Sequence, residues 1–137
     1  VVKKPTDTPK IVAFCCHYAA GVPQETLSEA GLLPEGFKME RLPCTGRLEI
    51  PAMLEAFEQG AEAVMVAGCR LDECHNLSGS KRAARRVGVV RNILTELNVD
   101  PGRIEMIFVA RGETESIVEA ARKIASRVSA MGLLHHG

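Results

Sequence analysis

The residues of this 137-residue chain most able to do chemistry are five cysteines: Cys15, Cys16, Cys44, Cys69 and Cys74. Thiolates are soft ligands, suited to iron–sulfur clusters, zinc or copper. The count is odd and no export signal is recognisable ahead of the first strand. A disulfide framework is therefore disfavoured, and a reducing, cytoplasmic setting is expected. No two cysteines stand in a CxxC spacing, so a thioredoxin-like dithiol has no motif support. A [2Fe–2S] or [4Fe–4S] cluster usually takes four cysteines, which leaves one thiol spare. His17 and His75 each follow a cysteine. Imidazole replaces thiolate in some clusters and zinc sites, but with five thiols at hand both histidines read as neighbours of a site or surface residues.

Four alternations of strand and helix must position those thiols. Lys10–Cys15 is a short apolar run rich in strand formers, and Gln24–Ala30 predicts a weak helix between Pro23 and Gly31. Phe37–Leu42 alternates Phe37, Met39 and Arg41 against Lys38, Glu40 and Leu42, a poor strand pattern. Pro51–Gln59 predicts a helix with Met53, Leu54, Ala56 and Phe57 inward and Gly60 as its stop. Ala63–Gly68 is apolar on both faces, as in a strand covered by helices on two sides. Ser80–Leu97 carries Ala83, Val87, Val90, Ile93, Leu94 and Leu97 at helical spacing, and Asn98, Pro101 and Gly102 end it. Ile104–Ala110 predicts another buried strand. Glu113–Met131 predicts a closing helix with Ile117, Ala120, Ala121, Ile124 and Val128 on one stripe.

These repeats predict one α/β domain over residues 10–132, a four-stranded parallel sheet flanked by helices in a three-layer sandwich of the flavodoxin or Rossmann kind. Residues 1–9 read as a flexible N-terminal segment and residues 133–137 as a tail, whose two histidines suit a frayed end better than a metal site.

In such sheets ligands sit outside the carboxyl ends of the strands. Cys15-Cys16 ends the first strand, Cys44 follows the second, Cys69 ends the third, and Cys74 lies in the next loop. Parallel strand ends point the same way, so the thiols are expected to converge on one edge. Successive strand side chains point to opposite faces. Cys15 and Cys16 can both face a site only if the strand has already broken into a loop. Cys16 is favoured over Cys15, which could serve as a small buried hydrophobe. The expected metal ligands are thus Cys16, Cys44, Cys69 and Cys74.

Lys81, Arg82, Arg85 and Arg86 crowd the start of the strongest helix, where cations oppose the helix dipole. A Cys-ligated cluster is anionic, and nearby cations and helix-terminal amides would stabilise it and raise its reduction potential. Arg47, His75, Lys81 and Arg82 are the residues expected around it; an acidic partner surface is the other use for the basic stretch. Elsewhere the charge is balanced, with Lys plus Arg equal to Asp plus Glu at 17 each. A global nucleic-acid or membrane-surface role has little support. No apolar run approaches the roughly 20 residues of a membrane span. The stretch Asn76–Ser80 is expected to cap that helix and offer amides to cluster sulfurs; as a phosphate loop it is weak, because the Walker and GxGxxG patterns are both absent.

Taken together, Phe14-Cys15-Cys16, Cys44-Thr45-Gly46-Arg47, Gly60–Cys69, Asp72-Glu73-Cys74-His75 and Gly79–Arg86 resemble the delta subunit of methyl-viologen-reducing hydrogenases, from about Ile11 to the last helix. The resemblance implies a [2Fe–2S] protein that relays electrons from a hydrogenase or formate dehydrogenase module to the flavin-bearing subunit of a heterodisulfide-reductase-type, electron-bifurcating complex. Substrate pockets for bond-making chemistry are not evident in the sequence, so catalysis is expected to lie in the partners. The family's cysteines carry over to Cys15, Cys16, Cys44, Cys69 and Cys74. Many members have a further cysteine shortly after the doublet, where this chain has Tyr18-Ala19-Ala20.

Two other readings use the same residues. One is a zinc-binding structural or interaction module. The other is a thiol enzyme with one cysteine activated by Arg47 or Arg70.

Overall fold

A computed structural model of the chain describes residues 10–16, 31, 33–42, 45–69, 79–109 and 114–132. The expected helix over Gln24–Ala30 lies outside those residues. Four strands, β1 (Ile11–Cys16), β2 (Phe37–Leu42), β3 (Ala63–Cys69) and β4 (Ile104–Val109), form one parallel sheet in the order β2-β1-β3-β4. Three helices are described, α1 (Ile50–Glu58), α2 (Gly79–Glu96) and α3 (Thr114–Met131), with short 3-10 turns at Thr45–Arg47 and Pro101–Arg103. The predicted α/β sandwich is the architecture found. No helix among the described residues is long and apolar enough to cross a membrane.

The two central strands explain the layering. Every residue of β1 is buried, and so is Ala63–Gly68 of β3. Their alternate residues therefore serve two cores. Val12, Phe14, Val64 and Val66 pack with Met53 and Phe57 of α1 and Ala83, Val87, Val90 and Leu94 of α2. Ile11, Ala13, Cys15, Ala63, Met65 and Ala67 pack with Ile117, Ala121, Ile124 and Val128 of α3. Each large apolar side chain so buried contributes about 1.5–3 kcal/mol. The connections β2 to β3 and β3 to β4 run the same way across the sheet, so crossovers of one hand put α1 and α2 on the same face.

Local signals set the ends of the elements. Pro51 lies in the first turn of α1, where a missing N–H is harmless. Gly60, at φ 109°, takes the chain out of that helix into β3. The end of α2 departs from the expected pattern. Leu97 is 65% exposed rather than inward, because the helix stops at Glu96 and Asn98 adopts a left-handed φ of 61°. The fourth strand also differs from expectation: β4 is an edge strand, fully buried only at Ile104 and Val109, with Phe108 exposed.

A polar clamp closes the amino-terminal edge of the sheet. Arg103, just before β4, donates from Nη1 to the carbonyl oxygen of Glu62 (3.0 Å) and to Glu62 Oε1 (3.3 Å). Its Nη2 donates to the carbonyl oxygen of Gly132 (2.7 Å), beyond α3. Both charged side chains are buried, and each is the other's countercharge.

Candidate metal centre

The order β2-β1-β3-β4 contains a switch point. From β1 the chain moves outward to β2, then returns to place β3 on the other side of β1. Crevices that bind ligands in open α/β sheets form at the carboxyl ends of the strands flanking such a reversal, here β1 and β3. Cys15 and Cys16 are the last two residues of β1, and Cys69 is the last of β3. Ala67 pairs with Cys15, so Cys69 stands two positions further along the neighbouring strand. Three of the five cysteines therefore belong to one sheet edge. Cys44 and Cys74 lie outside the described residues, as do His17, His75 and Arg70. Among the described residues, no three Cys, His, Asp or Glu side chains gather closely enough to hold a metal ion.

The doublet behaves differently from strict alternation. The pairs Cys15↔Arg41 and Cys16↔Leu42 keep β1 in register with β2 to its end. Even so, Cys15 and Cys16 pack in the same core group, on the α3 side of the sheet. The last β1–β3 pair is Cys15↔Ala67, so Cys16 lies past the point where both neighbours constrain the strand. Both are thiols rather than half-cystines, and both are buried. Burial pushes the Cys15 thiol up to about 12; the Arg41 guanidinium opposes that rise, and Cys16 adds to it.

The turn Thr45–Arg47, directly after Cys44, is seated against the start of α2. Arg86 Nη1 donates to the carbonyl oxygens of Gly46 (2.7 Å) and Leu48 (2.9 Å). A Cβ on Gly46 would come within 2.8 Å of the Gly79 Cα and 2.7 Å of Arg82 Nη2, so only glycine permits this approach. The basic helix start thus has a structural employment for Arg86, while Arg82 lies half-buried beside Gly46. Arg47, Lys81 and Arg85 are exposed.

Two polar atoms at this edge stand out. Arg41 Nη2 and Thr45 Oγ1 are buried and find no hydrogen-bond partner among the described residues. Thr45 is 1% exposed. Buried polar groups are nearly always satisfied, so each needs a reason. Both flank Cys44 in sequence. The sequence assigns neither a role at the site, although Thr45 lies in the Cys44-Thr45-Gly46-Arg47 motif and Arg41 carries a signal: it is a charge on the inward stripe of β2, after Phe37 and Met39. The donor set, thiols with a buried cationic N–H and a buried hydroxyl, fits a sulfur-rich anionic group at the carboxyl edge.

A sequence model of the family described as methyl-viologen-reducing hydrogenase, delta subunit, matches residues 11–132. The chain belongs to that family. Among its relatives is the vhu iron–sulfur subunit of the F420-non-reducing hydrogenase of Methanocaldococcus jannaschii, 36% identical over 126 residues that cover 90% of this chain and 93% of the relative. The corresponding vhu iron–sulfur subunit from Methanopyrus kandleri is 35% identical, covering 90% and 95%. One subunit of the ferredoxin:CoB-CoM heterodisulfide reductase of Methanosarcina mazei is 29% identical over 90% of this chain, which corresponds to 16% of that longer protein. The delta-subunit family thus accounts for the resemblance carried by the cysteine motifs. It links this chain to hydrogenase iron–sulfur subunits and to that larger heterodisulfide reductase component.

Proposed function

We propose that this chain is an electron-transfer subunit that binds a [2Fe–2S] cluster at the carboxyl edge of its sheet and has no catalytic activity of its own. Its place would be between a hydrogenase module and the flavin-containing subunit of a heterodisulfide-reductase-type, electron-bifurcating complex. The observation that carries the reading is the position of Cys15, Cys16 and Cys69 at the ends of the two strands that flank the switch point. The hydrogenase relatives are named iron–sulfur subunits, which supports iron over zinc. The match to the Methanosarcina heterodisulfide reductase supports the acceptor, and the hydrogenase names favour a hydrogenase over a formate dehydrogenase as donor.

Cys16, Cys44, Cys69 and Cys74 are the proposed ligands. Cys15 is the thiol left over: it is enclosed between Arg41 and Ala67 and holds its proton, whereas Cys16 lies beyond the last β1–β3 pair. When bound, the cluster would supply one-electron exchange. The chain's own contribution is to hold four thiolates at one rim and to shield them from water on the α3 side. The protein would work in the cytoplasm.

Anaerobically purified protein should contain about two irons and two sulfides per chain and develop an EPR signal on reduction. Folded, full-length protein with neither would sink the proposal. One zinc per colourless chain would instead favour an interaction module.

A further inference from the structure

The structure assigns a role to Arg41 and Thr45: they donate hydrogen bonds to the anionic sulfur group held at the carboxyl edge, and thereby raise its reduction potential. The assignment rests on the reading of that edge as an iron–sulfur site. Its independent support is the pair of orphaned donors. Arg41 is the register partner of Cys15, so the two side chains lie on the same face of adjacent strands. Its Nη2 is buried without a partner among the described residues, as is Thr45 Oγ1.

Two other arginines in this protein, Arg103 and Arg86, spend their buried or partly buried nitrogens on oxygen acceptors. Arg103 serves Glu62 and Gly132, and Arg86 serves Gly46 and Leu48. Against that pattern, a guanidinium nitrogen and a hydroxyl on either side of Cys44, both unused among the described residues, mark a place where an acceptor belongs. Thiolate and sulfide sulfurs are such acceptors. Reduction adds one electron to a group that is already negative, so donors and a fixed positive charge favour the reduced form. Arg41 and Thr45 would act as positioning residues, not as ligands.

The test is a redox titration of the anaerobically purified whole chain, read by EPR, with iron and sulfide counted in each sample. Arg41→Met removes charge and donor together. At the potential where the wild type is half reduced, its reduced-to-oxidised ratio is expected to fall about tenfold, a shift near 59 mV for one electron. Arg41→Lys keeps the charge and should shift less. Thr45→Val, isosteric but without the hydroxyl, should shift in the same direction by a smaller amount. Unchanged midpoints in cluster-loaded Arg41→Met and Thr45→Val overturn the proposal. If Arg41→Met folds but loses iron while Arg41→Lys keeps it, the assignment stands. If both Arg41 variants unfold alike, Arg41 belongs to the framework and the assignment falls. Wild-type protein free of iron would defeat the underlying cluster reading instead, and the two failures are told apart by the metal count.

Discussion

Arg86 holds Gly46 across 2.7 Å, its Nη1 donating to the glycine carbonyl oxygen. That bond joins the turn after Cys44 to the helix that begins after Cys74. The turn and the helix are thereby tied to each other, although residues 46 and 86 are far apart in the chain.

Removing the bond should loosen that junction. Arg86→Met is expected to lose about 2 kcal/mol in urea unfolding, the scale of charged hydrogen bonds given up at a partly buried site. Gly46→Ala should destabilise by a similar 1–3 kcal/mol, roughly the cost of forcing extra volume into a packed contact. Wild-type unfolding midpoints in both variants would refute the junction.

The clamp at the opposite edge gives a different signature. Arg103→Leu takes away the buried countercharge of Glu62 and the donor to two backbone oxygens, so a loss of about 3–5 kcal/mol is expected. Glu62→Gln keeps the backbone bonds of Arg103 and should lose less. Among molecules that stay folded, iron content per chain should match wild type, because Glu62, Arg103 and Gly132 lie at the end of the sheet away from the thiols. Measuring both quantities on one sample checks this.

The spare thiol is testable directly. Cys15→Ala should retain wild-type iron and sulfide, whereas Cys16→Ala, which removes a proposed ligand, should lose most of both. The reverse pattern would transfer the ligand role from Cys16 to Cys15.

In metal-free protein, Cys15 also predicts a pH dependence. Burial raises its thiol from 9.0 to about 12, so over that interval the folded chain keeps a proton that the unfolded chain releases. Stability contributed by this group is intact below pH 9 and declines as pH rises beyond it, by up to about 1.4 kcal/mol per unit. Urea titrations from pH 8 to 10 under anaerobic, reducing conditions should show a decline in wild type that Cys15→Ala lacks. Parallel curves would contradict it.

Most of the framework is legible in the sequence, because both periodicities are strong. β2 falls at its expected limits, Phe37–Leu42, despite a weak pattern, and the apolar run Ala63–Gly68 is central. Leu97 defies its spacing because periodicity alone does not say that a helix stops one residue earlier. β4 reads as buried because an apolar sequence does not reveal which strand lies at the edge. At the site, the strand-end cysteines are visible as a pattern, but the role proposed for Arg41 and that of Arg86 are not. Those roles depend on pairing register and on contacts between distant segments, which no local spacing encodes.

The order β2-β1-β3-β4 also governs when a site at this rim could come into being. Cys16 and Cys69 reach one sheet edge through the pairing of β1 with β3, segments distant in the chain, and such pairings are slow to form. A chain still emerging from synthesis would have no complete rim to offer. Iron delivery would therefore await a finished sheet, and occupancy would in turn stabilise that sheet by mass action. Maturation and folding would be ordered in time, with the scaffold first and the metal second.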